Sequence, residues 1–190
     1  MMLRSWLASA WTWMVARASP EDVLAETREW IERVVVGLDL CPFAAEPLRA
    51  GRVRFRMSEA EEPEQLASDL VEELGWLDRE SRAAVETSLL VHPWALLEFD
   101  AFNQFLAVGD LLLDKLELVG RIQIVGFHPA FRFAGERPED PANATNRSPH
   151  PMLHLLREES VAEAVGAHPD PQGIPRRNAE KLRRRARPRA

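Results

Sequence analysis

Cysteine is almost absent: Cys41 stands alone in 190 residues, so no intrachain disulfide can form and a reducing compartment fits the chain best. No complete metal, nucleotide-binding or nucleophile signature occurs anywhere, which leaves cofactors open and takes the familiar motif-defined enzyme classes off the list. No apolar run is long enough to span a bilayer, and the longest, Trp6 to Ala16, carries three tryptophans and little leucine. Positive charge is outnumbered in the body of the chain. The net charge is -6, yet residues 176 to 190 carry eight Lys/Arg against one acid, so residues 1 to 175 hold -13. An acidic body repels phosphate backbones, so nucleic acid could be contacted only through the basic tail.

What is present is enough apolar sequence, 46%, for one sizeable core. Met1 to Ser19 reads as an N-terminal appendage. Arg4, the apolar run and Ala16-Arg17-Ala18 loosely imitate an export signal, while an amphipathic lead-in or an upstream start with Met14 as alternative initiator fits equally. Without export, the protein is cytoplasmic and soluble. Ser19-Pro20-Glu21-Asp22 supplies a capping hydroxyl, a first-turn proline and two acids, and the apolar spacing from Val23 carries that helix to about Leu38. Arg52 to Met57 alternates charged and apolar residues like an edge strand. Pro63 opens a helix with Leu66, Leu70, Leu74 and Leu77 on one stripe. Thr87 to Val91 and Ile122 to Phe127 are uncharged runs, as in strands covered on both faces, and Phe99 to Leu116 between them has helical spacing.

Strand, helix, strand, helix, strand with crossovers of about thirty residues favours parallel pairing. The expected fold is α/β: a small three- or four-stranded, mostly parallel sheet with flanking helices, in a single domain over residues 20–175, followed by a basic C-terminal tail at 176–190. Phe131 to Ala134 is the candidate fourth strand. Ser148-Pro149 is expected to start a further helix carrying Leu153, Leu156, Val161 and Val165. The tail from Arg176 is expected to be peripheral to the fold.

Three histidines are candidate catalytic residues. His92 and His128 each follow a buried strand and precede proline, at the edge where open α/β sheets bind ligands; backbone-bonded strand terminators are the plainer reading. His154 would share a helix face with His150, four residues apart, as a feasible metal pair, but no accompanying Glu completes a zinc-protease motif and no metal site is assigned. His154 serves equally as general base, hydrogen-bond donor or core residue. Asn143, Asn146, Arg147 and Ser148 are candidate binding residues, because a guanidinium, a hydroxyl and a helix N-terminus together could hold a phosphate or carboxylate. Ser148 as a plain cap is compatible with this. Asn143-Ala144-Thr145 matches a glycosylation sequon and is assigned to the loop. Cys41 follows a helix C-terminus, where the dipole disfavours a thiolate, so a buried structural thiol is expected.

CPFA (Cys41 to Ala44), ETSLLVHP (Glu86 to Pro93), FHPAFRFAG (Phe127 to Gly135) and NATNRSPHPMLHLLRE (Asn143 to Glu158) occur in this order. With them the chain resembles a family of short bacterial proteins known as domain-of-unknown-function family 1415, over roughly residues 20 to 185. That resemblance implies no activity, cofactor or catalytic residue. It departs at His150, where the family commonly has tyrosine. The functional expectation is an enzyme or small-molecule-binding domain with a His/Asn/Arg pocket for an anionic ligand. The alternative is a non-catalytic adaptor acting through the Arg-rich tail.

Overall fold

The computed structural model describes residues 17–187. The export and initiator readings fall on residues outside that range, as does most of the N-terminal appendage. The first helix, α1 (Pro20–Trp30), starts where the sequence places it, with Ser19 Oγ accepting from Asp22 N–H at 3.1 Å. It continues as π-helical turns over Ile31–Val36. Then come α2 (Ala45–Arg49), β1 (Val53–Met57), α3 (Pro63–Arg79), β2 (Thr87–Val91), α4 (Phe99–Lys115) and β3 (Ile122–Phe127). A 3₁₀ segment (Pro141–Thr145), β4 (Met152–Arg157), α5 (Glu158–Ala167) and α6 (Ile174–Arg185) complete the described chain.

The sheet order is β1-β2-β4-β3. Only β1 and β2 pair in parallel; β4 runs antiparallel to both of its neighbours. The expectation of a mostly parallel sheet is therefore corrected to a four-stranded mixed sheet within an α/β fold. The crossovers do keep β1, β2 and β3 pointing the same way, as βαβ connections require, but a later strand enters between β2 and β3. That strand is β4, in the stretch expected to be helical, and Phe131 to Ala134 forms no strand. Met152-Leu153-His154-Leu155-Leu156 is apolar on both of its faces, and a run of that kind is satisfied by a central strand covered from both sides.

Alternation sorts the strands between two layers. Leu90, Leu153, Leu155 and Ile122 face the Leu66, Leu70, Leu74 and Leu77 stripe of α3 and Phe102 and Phe105 of α4. Leu89, Val91 and Met152 face α1 through Val23 and Ile31. Gly126 lets Phe102 seat against β3, since a Cβ there would lie 2.8 Å from the ring.

The basic segment is part of this architecture, which corrects the expectation of a peripheral tail. α6 buries Asn178 and Leu182. Asn178 Nδ2 donates to Leu40 O at 2.6 Å, and Lys181 Nζ donates to Leu38 O at 2.6 Å and Asp39 O at 2.9 Å, so a cation caps the negative end of the first helix. Arg183 holds Asp140 and Glu136 at 3.0 Å each, tying α6 to the 3₁₀ segment.

Candidate functional site

His92 and His128 come together on the α4 side of the sheet. Both are fully buried, and their rings lie 5.8 Å and 5.1 Å from that of Phe102. His92 Nδ1–H donates to Ala95 O at 3.0 Å, and its Nε2 has no partner. His128 accepts from Ala130 N–H at Nδ1 (3.0 Å), so its Nε2–H donates to Leu96 O at 3.2 Å. Burial pushes both below the usual histidine range, His92 to about 4. These are neutral imidazoles that spend their N–H groups on loop carbonyls. His154, on β4, projects to the α1 side, so the sheet lies between it and the other two.

The loop between β3 and β4 is pinned by the residues expected to bind an anion. Asn143 is completely buried; its Nδ2 donates to Arg137 O at 2.8 Å and its Oδ1 accepts from Phe133 N–H at 2.9 Å. Asn146 Nδ2 donates to Gly126 O at 3.3 Å, and Ser148 Oγ donates to His150 O. Arg147 donates to Phe131 O at 3.0 Å and to Pro138 O. No helix begins at Ser148, so the dipole that was to assist anion binding is not there. The helix face proposed to pair His150 with His154 goes with it: His150 lies ahead of β4 and meets Glu26 at 2.8 Å. Among the described residues no cluster of three His, Cys, Asp or Glu could hold a metal ion. With two carbonyls on one guanidinium, Arg147→Lys should lower unfolding free energy by about 1 to 3 kcal/mol. Hydrogen exchange across residues 131–147 should rise with it; unchanged exchange would remove the pinning role.

His154 is the one candidate that faces a cleft. This space, about 650 Å³, lies on the α1 side between the sheet, the π-helical turns, α2 and α5. Trp30, Ile31, Val35, Phe43, Leu48, Leu89, Val125, Phe127, Leu156 and Val161 make its walls apolar, and His154, Thr87, Gln123, Ser160 and Cys41 are its neutral polar members. Thr87 has a single hydroxyl hydrogen, which it donates to Leu155 O at 2.5 Å. It must therefore accept from His154 Nε2–H, 2.8 Å away. That leaves a lone pair on His154 Nδ1 with no hydrogen-bond partner among the described residues. Burial pushes His154 down to about 4, so the ring stays neutral. Burial also pushes the Cys41 thiol up, so it holds less thiolate than an ordinary cysteine, but the residue is half-buried in the cleft wall rather than sealed in the core as expected.

The mouth of the cleft is ionic. Arg52 pairs with Glu46 and Glu86, and Arg82 with Glu86 at 3.2 Å and Glu163 at 2.6 Å. Burial works against ionised Glu86, but the guanidiniums of Arg82 and Arg52, together with the nearby Ser160 hydroxyl dipole, outweigh it and hold the carboxyl below its usual range. α2 and α5, which close the sides, bury no residue of their own. Sequence reasoning missed this cleft, although one signal was available: Thr87 and Gln123 are each the lone polar residue that their strand places on that face.

The family model described as "Protein of unknown function (DUF1415)" matches residues 22–189. No curated protein and no solved structure matches the chain significantly. No helix among the described residues is long and apolar enough to cross a membrane.

Proposed function

We infer, for a chain that belongs to this DUF1415 family of unknown function, a small-molecule-binding role centred on the cleft floored by His154. The observation that carries this reading is the unfilled apolar space of about 650 Å³ with one neutral imidazole presenting a free acceptor into it. Ligand sites commonly combine such a volume, mostly apolar walls and a few placed polar groups. A catalytic role would add proton transfer at the same Nδ1, the only ring nitrogen in the cleft, among the described residues, whose lone pair is unspent. An anionic ligand on the β3–β4 loop would have to use the Arg147 N–H groups left over from Phe131 O and Pro138 O, with no helix N-terminus beside them. An adaptor working through the basic segment would use Arg176, Arg184, Arg185 and Arg187, which form no ion pair among the described residues, since Arg177, Lys181 and Arg183 are engaged within the fold.

The test uses phenylnaphthylamine, a neutral apolar fluorophore, together with the single cysteine as a reporter in the cleft wall. Wild-type protein should enhance its fluorescence, and the bound dye should slow iodoacetamide alkylation of Cys41. Val125→Trp, which fills the space from the sheet side, should abolish both effects. Absence of enhancement by the wild type, or enhancement untouched by Val125→Trp, would overturn the cleft as a binding site.

A further inference from the structure

The charges around the cleft constrain the chemistry of its occupant. Every cation in its lining is already committed. Arg52 and Arg82 share the three carboxylates of Glu46, Glu86 and Glu163. Arg157 sends its guanidinium to the other layer, where it donates to Leu77 O at 2.8 Å and Glu80 O at 2.7 Å beyond the end of α3. The mouth thus holds one more acid than it has guanidiniums facing it, and an incoming carboxylate or phosphate meets repulsion there. On the floor the available groups are the His154 Nδ1 lone pair and the Gln123 amide, whose side chain makes no hydrogen bond among the described residues. Both are neutral. A charged head group pressed against them would lose its water with no countercharge in return, and burial of an unpaired charge costs far more than burial of a bonded neutral group.

We propose that the cleft selects an uncharged amphiphile: an apolar chain or ring system ending in a hydrogen-bond donor, such as an alcohol or a primary amide, with that donor on His154 Nδ1 and Gln123 completing the contact. This rests on the cleft being a binding site at all. The donor must come from the ligand, because Thr87 fixes the imidazole with its proton on Nε2. Gln123 supplies both a donor and an acceptor, so it can serve a hydroxyl or an amide equally.

Competition against bound phenylnaphthylamine at neutral pH separates the possibilities with one series of equal chain length: octanol, octanamide, octanoate and octylammonium. Octanol and octanamide should displace the dye at concentrations about tenfold or more below those needed for either ion, the scale of one net hydrogen bond plus an avoided unpaired charge. His154→Phe should erase most of that preference while leaving dye binding in place. Should that central-strand variant fold poorly, Gln123→Leu on the edge strand β3 should reduce the preference in the same sense. Octanoate or octylammonium displacing best would overturn the uncharged class and leave the cleft standing. Four equal competitors, or none that compete while the dye remains bound, would equally overturn head-group selection. Failure of the dye itself to bind would remove the cleft reading, and this proposal with it.

Discussion

Lowering the pH from about 6.5 towards 4 should cost this protein roughly 3 kcal/mol of stability through His92 alone. The ring is fully buried, its Nε2 has no partner to share a proton with, and burial pushes it from 6.5 down to about 4. The folded state therefore refuses a proton that the unfolded chain accepts. Since the unfolded state binds more protons through this window, stability rises with pH across it. The contribution is complete above the unfolded value near 6.5 and is progressively lost as the pH falls towards 4. His154 acts in the same direction, although its ring is partly exposed in the cleft and its share is correspondingly smaller. His128 shifts the same way. Ordinary carboxylates titrate near pH 4 and contribute little at the upper end of the window, so histidines dominate there. Set against a total of about 5 to 15 kcal/mol for a typical domain, the loss is large. Urea unfolding at several pH values should show it, and His92→Gln, which cannot titrate, should flatten the slope. A variant whose pH dependence runs parallel to wild type would show that His92 is not the group responsible.

The second large effect is expected on the same side of the sheet, under α3, at a buried carboxylate. Glu73 on α3 is completely buried among the leucines of its own stripe. It is held by Arg54 Nε at 2.7 Å, by Arg56 Nη1 at 3.3 Å and by the Ser88 hydroxyl, and Arg54 lies over the Trp76 ring at 4.0 Å. Those arginines are the charged half of the alternating Arg52 to Met57 pattern. They stand on the edge strand β1, half-exposed, where guanidiniums can keep contact with water while reaching inward. Removing one of them strands the carboxylate rather than the cation. Arg54→Met should therefore destabilise by about 3 kcal/mol, the lower end of the range for breaking a buried pair because Arg56 remains. Combining Arg54→Met with Glu73→Leu should recover at least about 1 kcal/mol of that loss, since an apolar pair can replace a buried ion pair at little cost. Denaturant midpoints for the two single variants and the double variant close the cycle. A near-neutral Arg54→Met, or a double variant no better than the single, would mean that the Arg54–Glu73 pair does not hold this part of the fold.

Local sequence alone determined a large part of this molecule. The cap at Ser19 and Pro20, the leucine stripe of α3, both apolar strands Thr87 to Val91 and Ile122 to Phe127, and the edge strand over β1 all stand where periodicity and capping residues place them. Each of those signals is local: a spacing of two or 3.6, a hydroxyl before a proline, a run ended by His-Pro. Tertiary structure decided the rest. Met152 to Arg157 carries apolar residues on both faces, a pattern that a buried helix and a central strand satisfy alike, and only the open position between β2 and β3 makes it a strand. That one outcome removed the helix mouth at Ser148, turned Asn143, Asn146 and Arg147 into loop pins, and carried His154 to the opposite face from His92 and His128. The cleft was settled in the same step, because its floor combines side chains from β2, β3 and β4 whose shared face depends on register. Likewise the charges of the C-terminal segment were plain in the sequence, but whether they meet solvent or the carbonyls at Leu38 and Asp39 depended on where the chain returns. Periodicity reports which side chains avoid water; which surface covers them is fixed by long-range pairing that no local spacing encodes.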